Sequence, residues 1–237
     1  MPPPPPPRPR RRLAAILNNS ANPSSRPMPG RPSGIAGYLA PRTIASPRFP
    51  SPGRTGVKVL VVGGGPAGLY AALLLKRRHP AAEVVVEERN RADDTFGWGV
   101  VLSDQTVANL QAADPLSGDA IRADLHRWDD IAVHFQGRTI RSGGHGFSGI
   151  GRKRLLQILQ ARCEAVGVHL RFESPVTDDL EARVRAEGWD LVLGAGGVNS
   201  RYRDRFADSF QPDVDLRQCR YIWLGTPRTF DAFTFDF

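Results

Sequence analysis

The stretch that most restricts the fold is residues 57–90, VKVLVVGGGPAGLYAALLLKRRHPAAEVVVEERN. VKVLVV is a short β-branched apolar run, the pattern of a parallel strand buried on both faces. Gly63-Gly64-Gly65-Pro66-Ala67-Gly68 follows it directly. LYAALLLKRRH then places Leu, Ala and Tyr at helical spacing and ends on basic residues before Pro80, as helix C-termini do. AEVVVEERN reads as a second buried strand. Strand, glycine turn, helix and strand make a βαβ unit, which predicts an α/β fold with a parallel sheet.

The chemistry of that turn sets its residue types. A backbone that approaches a diphosphate at a helix N-terminus has no room for side chains at Gly63 and Gly65. Gly68 lets the helix pack tightly on the strand. Pro66 and Ala67 complete the turn. The glycines alone are a weak signal, and the flanking strand and helix strengthen it. An acid at the end of the second strand would accept from a ribose hydroxyl pair. Glu87 and Glu88 both qualify. Glu88, followed by Arg89 and Asn90 at the strand exit, is the better choice, and a solvated strand end is the plain alternative. Together these residues predict an adenine-dinucleotide site.

Further along, Ser103 is an N-cap for a helix reaching Ala112, which stops before Asp114-Pro115. IAVHF and RTIRS, split by Gln136-Gly137, predict a hairpin. RKRLLQILQARCEAVG is an amphipathic helix with Leu155, Leu156, Leu159 and Cys163 on one side and Gly167 at its end. VHLRFESPV reads as a strand, EARVRAEG as a helix and WDLVLGA as a strand, with YIWLG and FTFDF as later strands. The strand in WDLVLGA runs into Gly196-Gly197-Val198-Asn199-Ser200, then three arginines, at 201, 203 and 205.

Charge divides the chain in two. The first 57 residues hold nine of the 32 basic side chains and none of the 24 acidic ones, so the rest carries 23 against 24. The surplus of positive charge therefore belongs to a Pro/Arg-rich tail, residues 1–56, which is too poor in apolar residues to fold and is expected to be disordered. An organelle transit peptide, a ligand for a Pro-binding domain, an anionic-surface binder and translated upstream sequence of a GC-rich gene all fit it. The near-neutral remainder argues against nucleic-acid binding. No stretch approaches the roughly 20 apolar residues of a membrane span. Two cysteines, Cys163 and Cys219, form no disulfide framework or metal spacing and suit a reducing cytoplasm. No Ser-His-Asp, Cys-His or metal constellation is present.

GGGPAGLYAALLLK and EERN resemble the start of the FAD-dependent aromatic-ring monooxygenases. DTFGWGVVLSDQT, WDDIAVHFQGRTIRSGGHGFSGIGRKRLLQILQARCE and RQCRYIWLGTPRTFDAFTF extend the likeness over residues 57–237, and they resemble the branch acting on aryl-CoA thioesters such as salicylyl-CoA. The resemblance implies a Rossmann-like, glutathione-reductase-type FAD domain with part of a β-rich substrate domain, contributed by strands at about 131–148 and 217–237. It implies FAD as cofactor, NADH or NADPH as electron donor, and O₂ and an aryl-CoA as substrates. The oligomeric state stays open.

Carried over by position, Gly63, Gly65, Gly68 and Glu88 match the ADP-binding residues. Gly97 to Val100 match a loop that passes beside the flavin, with Gly99 and Val100 as its site residues, and Arg152 matches an arginine near FAD. Gly197, Ser200 and Arg203 match the second fingerprint, in which Gly196 stands where the family has Asp. Trp98 and His145 are weaker candidates for the substrate side. A third fingerprint, expected beyond residue 237, implies that the sequence is the N-terminal portion of a longer enzyme. A noncatalytic product with a partial nucleotide site is the alternative from another class, and another enzyme of the same fold is a third; the Trp-x-Trp-x-Ile-Pro signature of halogenases is absent.

Overall fold

Alternation of side chains along the two valine-rich segments decides the architecture. In the computed structural model, which describes residues 56–222 and 224–237, these segments form β1 (Lys58–Val62) and β2 (Glu83–Glu87), paired in parallel with Val59 opposite Val84 and Val61 opposite Val86. The expected disordered tail lies outside the described residues. Val59, Val61, Val84 and Val86 point to one face of the sheet, and Leu60, Val62 and Val85 to the other. Both faces are covered, so the strands need no polar side.

Helix α1 (Pro66–Arg78) joins them. Its start is fixed by Pro66 in the first turn and its end carries Lys76, Arg77 and Arg78, which suit the negative pole of a helix. Leu69, Ala72 and Leu73 pack on the first face together with Leu155, Leu159 and Cys163 of α4 (Arg152–Ala165). The second face is closed by Leu180 of α5 (Leu180–Glu187) and by Trp189. Two more parallel strands, β6 (His169–Arg171) and β7 (Leu191–Gly194), complete the order β6-β2-β1-β7. β1 is thus central, and the turn after it opens at the middle of the sheet's C-terminal edge.

The second sheet has the order β3-β5-β4-β8, from β3 (Gly99–Ser103), β4 (His126–Phe135), β5 (Arg138–Gly151) and β8 (Phe233–Asp236). Gln136 and Gly137 both adopt positive φ, 47° and 75°, which gives the hairpin turn the twist that matches its strands. The glycine-rich SGGHGFSGIG that follows RTIR continues the strand: β5 runs 14 residues, with a register shift against β4 between Trp128 and Asp130. Trp128 lies so close over Gly149 that a Cβ there would sit 3.0 Å from the indole. Phe233 then stacks on Phe147 and meets Trp128 edge-on, which links three strands.

The helix that Ser103 caps stops before Asp114-Pro115 as expected. Asp114-Pro115 is a junction between helices α2 (Asp104–Ala113) and α3 (Pro115–Ala123). Asp114 ends the first and caps the second, accepting from the Ser117 backbone N–H at 3.0 Å, while Pro115 takes the position where a missing N–H costs nothing. One expectation is overturned: YIWLG forms no strand at residues 221, 222, 224 and 225, and among the described residues of 217–237 only Phe233–Asp236 adds a strand. Gly225 instead crosses the face of Trp98, and β8 takes the edge of β4.

Candidate functional site

A cleft of about 300 Å³ opens beside the C-terminal ends of β1 and β2 and the turn after β7. In open parallel sheets that edge is where ligands bind. Its floor is the glycine turn. Gly63 has a φ of 118° and its missing Cβ would lie 2.5 Å from the Ala195 carbonyl oxygen, so only glycine fits. A Cβ on Gly68 would be 1.9 Å from the Gly63 carbonyl oxygen. Gly65 differs: no protein atom lies within 4 Å of the place a Cβ would take, and that space belongs to the cleft.

The two acids at the end of β2 face opposite ways. Glu87 is buried, 4% exposed, and its carboxylate accepts from Arg183 Nη2 at 2.8 and 2.9 Å and from Arg171 Nη1 at 3.4 Å. Glu88 is half-buried and packs over Gly64, whose Cβ would be 2.8 Å away. Its carboxylate accepts from the Gly64 N–H at 2.7 Å, the Asn90 N–H at 2.9 Å and Asn90 Nδ2 at 2.7 Å. A carboxylate offers about four lone pairs, so roughly one remains for a hydroxyl donor. Asn90 was chosen by no sequence argument, and its part in holding Glu88 shows only in the bonds.

Arg152 begins α4, where the helix supplies no side-chain cap. Its backbone N–H donates to the Trp98 carbonyl at 3.0 Å, and its Nε is buried with no hydrogen-bond partner among the described residues. A buried guanidinium donor facing a cleft without an acceptor is incomplete. Across the cleft, Gly196 caps a short 3-10 turn at φ −71°, and Gly197 follows at +71° with nothing within 4 Å of its Cβ position. The Ser200 hydroxyl accepts from the Arg203 N–H at 3.2 Å and starts α6 (Arg201–Arg205).

Gly63, Gly65, Glu88, Arg89, Arg152 and Gly197 all line this one cleft. Gly196 and Ser200 line it too, and the remaining candidates stand outside its lining. Pro66, Ala67 and Gly68 form the first turn of α1. Gly99 opens β3, and Val100 packs against the core. Trp98 is 60% exposed and reaches the cleft only through its carbonyl bond to Arg152. His145 is exposed on β5, between Gly144 and Gly146 at positive φ, with Nε2 2.7 Å from the Ser142 hydroxyl. Phe96, Pro175 and Tyr202 line the cleft without having been singled out. Pro175 follows β6, which reaches β2 through parallel pairing across 84 residues of chain, and no local pattern announces that contact.

The chain belongs to the FAD binding domain family, whose family model matches residues 56–211. Most of the curated relatives it matches are named as monooxygenases or hydroxylases. It is 47% identical over 179 residues to a salicyloyl-CoA 5-hydroxylase of Streptomyces sp., covering 76% of this chain and 34% of that protein. It is 35% identical over 184 residues to protodeoxyviolaceinate monooxygenase of Chromobacterium violaceum, covering 76% of this chain and 48% of the relative. The fold is shared with the tetrameric form of 2-methyl-3-hydroxypyridine-5-carboxylic acid oxygenase at a TM-score of 0.53 and 22% identity, over 65% of this chain and 43% of that one. The chain thus spans between about 30% and half of the length of the curated relatives it matches. No helix among the described residues is long and apolar enough to cross a membrane.

Proposed function

We propose that the cleft binds the ADP portion of FAD and that the protein hydroxylates an aromatic acyl-CoA such as salicylyl-CoA, using NADH or NADPH and O₂. The observation that carries this reading is the meeting, in one cleft, of an open glycine turn, an anchored carboxylate and a guanidinium donor with no acceptor. Each suits one part of the nucleotide. The space at Gly65 admits a diphosphate against the N-terminal turn of α1, whose free N–H groups and dipole favour an anion. Glu88, already fixed by three donors, keeps an acceptor for a ribose hydroxyl. Arg152 gains the partner its buried Nε lacks.

The aryl-CoA part of the reading rests on the likeness to the Streptomyces enzyme. FAD, when bound, supplies the electron transfer and oxygen chemistry. The residues of this chain hold and orient: Gly63 shapes the turn, Gly68 keeps α1 against it, and the Trp98 carbonyl fixes the first residue of α4 so that Arg152 stays at the cleft.

The purified 237-residue chain, mixed with FAD, is expected to retain it through gel filtration with quenched flavin fluorescence. NADH oxidation stimulated by salicylyl-CoA would support the hydroxylase reading. Loss of all flavin on the column would overturn the site assignment, and FAD retention without any stimulation by aryl-CoA would overturn the substrate.

A further inference from the structure

The segment after β7 carries arginines at 201, 203 and 205, and their surroundings separate them. Arg203, the one that the resemblance singles out, is occupied. Its Nη1 donates to the Val198 carbonyl at 2.9 Å, and its Nε and Nη2 donate to Asp204 at 2.9 and 2.8 Å. Arg205 donates to Glu181 at 2.8 Å and lies 3.9 Å from Asp178. Both guanidinium groups therefore fasten α6 to its own turn and to α5. Arg201 has no hydrogen-bond or ion-pair partner among the described residues, is exposed, and lines the cleft with Gly196 and Gly197.

We propose that Arg201 binds the diphosphate of a dinucleotide in this cleft, while Arg203 serves only to hold the turn. This rests on the dinucleotide reading above. The position of Arg201 is set by its neighbours. Ser200 caps α6, and Tyr202 lies over Gly194 so closely that a Cβ there would be 3.1 Å from its ring. Arg203 ties the helix back to Val198. With those three contacts in place α6 cannot roll, and residue 201 stays on the cleft side.

Charge supports an anionic occupant. Glu87, one of the two carboxylates lining the cleft, is already paired with Arg171 and Arg183, and Glu88 is held by three N–H donors. Neither reaches Arg201. The diphosphate is the anionic part of FAD and likewise of the nicotinamide donor, and a guanidinium can bond it through two N–H groups.

The test uses the full chain, with FAD followed by fluorescence quenching, and ADP, adenosine and NADH as competing or direct ligands. R201Q is expected to weaken FAD and ADP about tenfold, the size of one charge-assisted contact, and to leave adenosine unchanged. The wild-type affinity for FAD should fall more steeply with salt than that of R201Q. R201K should recover part of the loss. R203Q should lower the unfolding temperature, which R201Q should not. A loss confined to NADH would keep the diphosphate role and assign it to the donor. Equal affinity of R201Q and wild type for FAD, ADP and NADH would overturn the proposal. No FAD binding by the wild type would overturn the dinucleotide reading and this inference with it.

Discussion

The two sheets solve the same problem in opposite ways. In the parallel sheet, Val59, Leu60, Val61 and Val62 are all buried, as are Val84, Val85 and Val86. Helices cover both faces, so the strands are set by packing alone and their C-terminal ends are held rigidly enough to shape a turn. In the second sheet, the first eight residues of β5 are exposed, and only Gly146, Ser148 and Ile150 reach the interior. There the strands are held by the β4–β5 ladder and by the aromatic contacts among Trp128, Phe147 and Phe233. Every residue of the cleft's glycine floor comes from the first kind of sheet. Precision at the cleft is a product of double-sided burial.

The contrast is broken most severely at Gly68. Gly68→Ala would drive a methyl into the Gly63 carbonyl, and α1 can escape only by leaving β1. A cost of about 4 kcal/mol is expected in chemical denaturation, with FAD binding lost. Gly149 in the second sheet offers the control: its Cβ would meet the edge of an indole that can shift, so Gly149→Ala should cost about 1 kcal/mol.

Next in size is the seam that joins α2 and α3 to α1 and α4. Asp114, fully buried between α2 and α3, pairs with Arg77 of α1 at 2.8 Å and with Arg162 of α4 at 3.0 Å. Burial alone would raise its carboxyl, but hydrogen bonds from Arg162 and Ser117 outweigh it and hold the group at about 2, below the ordinary 3.8. The folded value lies beneath the unfolded one, so this stabilisation is complete above about pH 5 and disappears as pH falls from about 4 toward 2. Asp114→Asn should cost about 3 kcal/mol at pH 7, and its difference from wild type should shrink across that acid window in urea unfolding curves. A pH-independent difference would mean that the carboxylate is not what joins these helices.

The smallest effect concerns the cysteines. Cys163 is fully buried, its thiol is pushed up to about 12 by burial and by the neighbouring Glu164, and it donates to the Leu69 carbonyl. Cys219 is exposed. A thiol reagent should label Cys219 within minutes and reach Cys163 only on unfolding.

How much of this was legible in the sequence follows from the same contrast. The β1–α1–β2 unit could be read because its signals are local: two β-branched runs, a glycine turn and a helix of correct period. Glu88 could be preferred over Glu87 by its place at the strand exit, although the carboxylate of Glu87 also needed Arg171 and Arg183 to be understood. Sheet two resisted reading because glycine-rich SGGHGFSGIG carries no alternation, yet it pairs as strand once β3 and β4 flank it. YIWLG misled for the converse reason: an apolar run suggests a strand, but a strand requires a partner edge. His145 and Trp98 attracted notice by residue type, and residue type does not say which way a side chain points. Arg201 escaped notice because the resemblance favoured Arg203, whose bonds only the structure reveals.

Gly65 provides the most direct test of the central claim. Its backbone, at φ −70° and ψ 174°, suits any residue, and a side chain there would meet no protein atom within 4 Å, only the space assigned to the diphosphate. Titrating wild type and Gly65→Val with FAD, alongside thermal unfolding of both, separates ligand from fold. The account predicts saturable quenching for wild type, no binding for Gly65→Val, and unfolding temperatures of the ligand-free proteins within about 2 °C of each other. Equal FAD affinity in the two proteins would contradict it.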